Sequence, residues 1–188
     1  MNLVIFGPPG AGKGTQSKFI VEKYNMFQLS TGEFLRKEMY KNTAIGKKIS
    51  SVINSGALVS DQIVSDLIEK VISDSKFRNR IIFDGYPRNL NQALNLDNLL
   101  KKNTQKINIV LKLSVRLETV KKRISERRTL EKRPDDNDEI AIKRYQTYEK
   151  STEPVIEYYK KLNLLKVIDG ERPIDQINKE ISEIIDLI

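Results

Sequence analysis

The sequence predicts an α/β fold in which a parallel sheet is covered by helices on both faces, and three features predict it. Apolar runs of strand length alternate with helical stretches along the chain. The first run, Asn2–Phe6, ends in a glycine-rich loop that feeds directly into a helix. No apolar run approaches the roughly 20 residues a membrane helix needs, so a soluble protein with a buried sheet is expected.

In order, Asn2–Phe6 reads as a buried strand, and Lys13–Tyr24 as a helix from the spacing of Phe19, Ile20 and Tyr24. Phe27–Leu29 is a short strand. Thr31–Asn54 reads as two short helices with Thr43–Gly46 between them, and Ser55, Gly56 and Asp61 punctuate the entry to a helix over Gln62–Ser73. Further strands fall at Arg80–Asp84, Ile107–Leu113 and Leu164–Ile168. A helix over Val115–Arg127 leads into RRTLEKRPDDND, whose charge and proline predict an exposed loop, with Asp138 set to cap the next helix. Ile174, Ile177, Ile181, Ile184 and Ile188 alternate spacings of three and four, which predicts a final helix with one apolar stripe facing the core.

With 188 residues and 39% hydrophobic content, the chain suits one compact domain rather than two. The opening MNLVIFGPPG has no basic n-region or small-residue cleavage site, so no export is expected. Zero cysteines exclude a disulfide framework and a thiolate metal site, which fits a cytoplasmic location. Zero histidines remove the commonest general base, so any catalysis rests on Lys, Arg, carboxylates and backbone amides. The net charge of +8 has two readings, a solvated lysine-rich surface or a bound polyanion. Spacing has to choose between them.

Gly7-Pro8-Pro9-Gly10-Ala11-Gly12-Lys13-Gly14-Thr15 has the G-x-x-x-x-G-K form between a strand and a helix, the context that a phosphate-binding P-loop requires. Its glycines let successive N–H groups turn inward on phosphate oxygens, and the helix N-terminus adds its positive end. Gly10, Ala11, Gly12, Lys13, Gly14 and Thr15 are therefore the candidate ATP cradle, with Lys13 as a mobile charge for the β- and γ-phosphates. The general motif has Ser or Thr directly after the lysine, whereas Gly14 intervenes here. Asp84, at the carboxyl end of a strand, stands where ligands of open α/β sheets gather.

GPPGAGKGTQ, STGEFLR from Ser30 and DGYPR from Asp84 together resemble the adenylate kinase family, and RPDDN at Arg133 and YEKSTEPVIEYY from Tyr148 extend the likeness over nearly the whole chain. The resemblance implies a single P-loop NTPase-type domain over 1–188. Its core would be 1–29, 60–125 and 137–188, with a helical nucleoside-monophosphate-binding insert at 30–59 and a short lid at 126–136. It implies reversible transfer of the terminal phosphoryl group of MgATP to AMP, giving two ADP. Thr31 would meet the adenine, Arg36 the AMP phosphate, and Ala57, Leu58 and Val59 the base and ribose. Gly85, Tyr86 and Pro87 would border the acceptor, Arg88 would bind its phosphate, and Gln92 would read the adenine edge. Asp84 would hold Mg²⁺ through water.

Arg116, Arg123, Arg127, Arg128, Arg133 and Arg144 surround one polar loop. By resemblance, Arg123 lies at the phosphate end of the core, Arg127 at the adenine and phosphates of ATP, and Arg133 and Arg144 near the transferred group. The register between Arg127 and Arg128 stays open by one residue, and Arg172 would touch the ATP adenine through its backbone. Lys13, Arg88, Arg123, Arg133 and Arg144 form the candidate catalytic set. A short lid without cysteine or histidine predicts no zinc.

Two alternatives share parts of this pattern. A UMP/CMP kinase has the same fold, but pyrimidine-specific relatives typically carry Ala where Thr31 stands, which favours AMP. A basic P-loop protein that binds nucleic acid would need interleaved aromatic and basic residues, and aromatic content is only 7% with no such stretch. The expected partners are ATP and AMP or ADP, with no nucleic acid and no membrane, and the expected state is a monomer.

Overall fold

Leu3–Phe6 (β1) is apolar at every position because it is covered on both sides, and its residues alternate between two cores. Val4 and Phe6 join one core and Leu3 and Ile5 the other. Each of these side chains is 4% exposed or less, worth roughly 1.5–3 kcal/mol apiece relative to exposure. The computed structural model describes residues 1–40, 43–55, 59–131 and 136–188.

Five strands form one parallel sheet: β1, β2 (Phe27–Ser30), β3 (Ile81–Asp84), β4 (Ile109–Ser114) and β5 (Leu165–Asp169). The spatial order is β2-β3-β1-β4-β5. Chain direction reverses its lateral course beside β1, which puts a crevice at the carboxyl ends of β1, β3 and β4. Register aligns Ile5 and Ser30 with Asp84, so the loop after β1, the start of the next helix after β2 and the turn after β3 meet at one edge.

The helices are α1 (Lys13–Tyr24), α2 (Thr31–Met39), α3 (Ala44–Asn54), α4 (Asp61–Ile72), α5 (Leu90–Lys102), α6 (Leu117–Glu131), α7 (Asp138–Lys161) and α8 (Ile174–Ile185). On one face, Ile68 of α4, Leu96 and Leu100 of α5, and Val155 and Tyr159 of α7 pack on Val4, Phe83 and Val110. On the other, Ile20 of α1, Val120 of α6, and Ile177 and Ile181 of α8 cover Leu3, Ile5, Ile82 and Leu111. Among the described residues, no helix is long and apolar enough to cross a membrane.

Three local expectations change. Thr43 caps α3 by accepting from Gly46 N–H at 3.0 Å, so Ala44–Gly46 is helix rather than connection. The helix expected at Gln62 begins at Asp61, after Ser60. Asn137, not Asp138, caps α7, its Oδ1 accepting from Ile140 N–H at 2.8 Å. Asp138 and Glu139 instead occupy the first turn, where the helix dipole favours negative charge.

The largest change is in the charged stretch read as a loop, since α6 continues through Glu126–Glu131. Polarity there reports exposure, not irregular backbone, because Glu, Arg and Leu are good helix formers. The proposed lid segment 126–136 is therefore helical in its first half. Arg133 lies outside the described residues. In α8 the stripe is Ile177, Ile181 and Ile185, each buried, while Ile174 and Ile188 are 59% and 58% exposed.

Candidate active site

Gly12 is the N-cap of α1 at φ 93°, a left-handed geometry that carries no steric penalty only for glycine. No atom lies within 4 Å of where its Cβ would stand, so backbone conformation alone accounts for the residue type. The loop folds over Lys13, whose Nζ donates to Gly7 O at 2.7 Å and Pro8 O at 3.1 Å. Burial, first of all, pushes the Lys13 ammonium down to about 8, and Arg88, Arg144 and Arg127 push the same way. Asp84 opposes them. These four charges locate Arg88, Arg127 and Arg144 around the loop's lysine.

Lys13 lines a cleft that opens to solvent. The same cleft is lined by Thr31, Arg36, Val59, Gly85, Pro87, Arg88, Gln92 and Arg144. The glycine loop and the expected acceptor residues thus share one cleft. Thr31 is 1% exposed, and its hydroxyl donates to Gly85 O at 2.9 Å, leaving oxygen lone pairs to accept. Gly85 has φ 81°, and a Cβ there would come within 2.8 Å of Thr31 Oγ1, so glycine is required on both counts.

Arg88 Nε donates to Gly85 O at 2.7 Å, and Gln92 Oε1 accepts from Arg88 N–H at 2.7 Å. Gln92 Nε2 donates to Asp61 Oδ1 at 2.6 Å. Tyr86 differs from expectation: its ring is 1% exposed and packs in the core, with a cis peptide to Pro87, so only the backbone of this residue stands at the turn. Ala57 and Leu58 lie outside the described residues.

Among the described residues, Arg123, Arg127 and Arg172, expected on the donor side, do not line that cleft. Arg123 donates to Gly170 O at 2.9 Å and Ala11 O at 3.4 Å, which ties the glycine loop to the turn after β5. Arg127 makes a two-pronged pair with Asp136, Nε to Oδ2 at 2.7 Å and Nη2 to Oδ1 at 2.5 Å, while Arg128 is exposed. Arg127 thus packs inward against Asp136, and Arg128 points to the outside of α6. Arg172 pairs with Glu180 and donates to Asp169 O at 3.4 Å. Arg116 turns away to Glu171, whose carboxyl is held down to about 2, chiefly by the Arg116 backbone N–H and then by Thr119 Oγ1.

Several site residues had no assignment in the sequence. Asp136 was only part of the RPDDN motif, yet it is 2% exposed and anchors Arg127. Gln28 donates to Asp84 Oδ2 at 2.9 Å and orients it. Thr147, Tyr148, Ser151 and Thr152 of α7 line the cleft, and the only signal for them was YEKSTEPVIEYY as a family segment.

A magnesium ion carried with a nucleotide fits this donor set. Asp84 offers a carboxylate 8% exposed at a strand end, and Thr15 an exposed hydroxyl. Two hard oxygen donors suit an ion that keeps most of its water and nucleotide ligands, not one caged by protein.

A parallel sheet whose first strand feeds a G-x-x-x-x-G-K loop, with the loop's lysine lining one cleft together with Arg36, Arg88 and Arg144, defines a P-loop nucleotide-binding enzyme of the phosphotransferase class. A model of the adenylate kinase family matches residues 5–164. The adenylate kinase of Pelagibacter ubique is 44% identical, aligned over 98% of this chain and 99% of its own length. That of Archaeoglobus fulgidus is 38% identical over 100% and 99%, and that of Caulobacter sp. strain K31 is 41% identical over 94% of each. The chain belongs to the adenylate kinase family. The first two alignments run over 211 and 215 positions against 188 residues here, so those relatives carry insertions that this chain lacks.

Proposed function

We propose that this enzyme transfers the terminal phosphoryl group of MgATP to AMP, reversibly, giving two ADP. The observation that carries the reading is the shared cleft: Lys13, held on the Gly7 and Pro8 carbonyls, lines the same open space as Thr31, Arg36, Arg88 and Gln92. ATP phosphates occupy the N–H groups of Gly10–Thr15, with Lys13 leaving its carbonyl partners for the β- and γ-oxygens. Arg36 and Arg88 bind the AMP phosphate. Thr31, Gln92, Ala57, Leu58 and Val59 hold its base and ribose. Mg²⁺, bound with ATP and held through water by Asp84, neutralises phosphate charge.

The nucleophile is an AMP phosphate oxygen, which attacks the γ-phosphorus in line as ADP leaves. That oxygen is already ionised, so the reaction needs no general base, in accord with a chain that has no histidine. Charge neutralisation and alignment do the work, through Lys13, Arg88, Arg123, Arg133 and Arg144. The insert 30–59 and the lid 126–136 close over the two nucleotides and exclude water, which would otherwise compete as acceptor. Arg127 and the backbone at Arg172 flank the ATP adenine. The enzyme works on free nucleotides as a cytoplasmic monomer.

Two outcomes test this reading. Thr31→Ala should reduce the kcat/KM preference for AMP over CMP and UMP, because base discrimination rests on polar groups that the wrong base leaves unpaired. An unchanged ratio across that acceptor panel removes Thr31 from base reading. The pH profile provides the second. With Lys13 held down to about 8, kcat/KM for MgATP should fall as pH rises through 8 in the free enzyme. The unfolded chain keeps its lysine proton to a higher pH, so the cost that protonated Lys13 imposes on the folded state is full below about 8 and is relieved between about 8 and 10.5. A profile flat to pH 10 contradicts the assigned charge.

A further inference from the structure

We infer that Asp61 sets the acceptor-base preference of the cleft by locking the side-chain amide of Gln92 in one of its two orientations, an inference that rests on the proposed reading of Gln92 as an adenine contact. Gln92 lies on the first turn of α5, 4% exposed and in the cleft wall. Its Oε1 accepts from Arg88 N–H at 2.7 Å and its Nε2 donates to Asp61 Oδ1 at 2.6 Å. A backbone N–H only donates and a carboxylate only accepts. The flipped amide would set N–H against N–H and oxygen against carboxylate, so one orientation survives.

The lock is itself braced. Asp61 opens α4, directly beyond the helical insert, and both of its carboxylate oxygens accept from Asn89 Nδ2, at 3.1 and 3.2 Å. Asn89 has its own amide fixed the same way, because its Oδ1 caps α5 by accepting from Gln92 N–H at 2.9 Å. Asp61, Asn89, Gln92 and the Arg88 backbone thus close a ring in which each contact sets a donor against an acceptor. Asp61 does not line the cleft, so it is a positioning residue that acts through Gln92.

One N–H and one oxygen lone pair of the Gln92 amide remain for a ligand. The adenine edge sets an acceptor, N1, beside a donor, the 6-amino group. A 6-oxopurine reverses the pair, with N1–H as donor and O6 as acceptor. A freely turning amide serves either edge, whereas a locked one serves a single order of donor and acceptor. The lock therefore discriminates AMP from IMP and GMP, a distinction that cleft volume alone does not make.

The test is the ratio of kcat/KM for AMP to that for IMP in wild type, Asp61→Ala, Asp61→Asn and Gln92→Leu, with Asp61→Ser replacing the alanine variant should that one fail to fold. Losing a hydrogen bond to a charged group corresponds to a fall of about tenfold in Asp61→Ala. Asp61→Asn should stay within about threefold of wild type, because its carbonyl oxygen still accepts from Nε2. An equal loss in Asp61→Asn would assign the effect to charge and overturn the lock. A ratio kept in Asp61→Ala, with both acceptors slowed alike, marks general structural support and overturns it too. If the ratio is kept there but collapses in Gln92→Leu, the lock fails and the reading of Gln92 stands. If it is kept in both, they fall together.

Discussion

Lys13→Met should lower kcat by about 10² or more while leaving the fold at least as stable as wild type. The rate effect follows from where the charge sits: Lys13 lines the cleft, its Nζ held by two loop carbonyls that it can exchange for phosphate oxygens. Negative charge redistributes toward the leaving β-oxygens during transfer, and a preorganised donor there is worth about 10²–10³ in rate. The stability effect has the opposite sign. Burial and three arginines disfavour the protonated lysine in the empty site, so a neutral side chain of similar length removes a strained charge. Thermal unfolding and steady-state kinetics on the same preparation check both halves. Near-normal turnover would refute the assignment of the loop.

Arg144→Ala should reduce kcat by roughly 10² to 10⁴, between the loss of one oxyanion-type donor and that of an arginine finger. Arg144 projects from α7 into the cleft wall and acts electrostatically on Lys13, so it stands between the donor loop and the acceptor side. A lysine in its place should restore only part of the rate, because a point charge does not reproduce a planar two-pronged donor. The same variant carries a second signature. Arg144 lowers the Lys13 pKa, so its removal should move the alkaline limb of kcat/KM to higher pH. A rise in KM with kcat unchanged would mean uniform binding and would exclude a transition-state role.

What the sequence made legible follows from which forces are local. The strands were readable because a doubly covered parallel sheet demands continuous apolar runs, and Ile81–Asp84 and Ile109–Ser114 fall within a residue or two of their expected limits. The glycine loop was readable because positive φ restricts residue choice at Gly12 and Gly85. The extent of α6 was not, since an exposed helix without an apolar face leaves no periodic trace past Arg127. Nor were Asp136, Asp61 and Gln28, which matter through partners far along the chain or across a turn. A single carboxylate in a charged segment looks the same whether it is solvated or buried against an arginine. Tyr86 shows the converse, a motif residue whose side chain serves the core while its neighbours border the cleft.

The most direct measurement is nucleotide stoichiometry in a closed reaction. Purified enzyme with MgATP and AMP, read by chromatography, should consume the two in equal amounts and form two ADP for each pair, with no phosphate released. MgATP alone should remain intact, because the assembled site excludes water as acceptor. ADP formed without AMP, or phosphate accumulating in step with ATP loss, would contradict phosphoryl transfer between two nucleotides in the cleft.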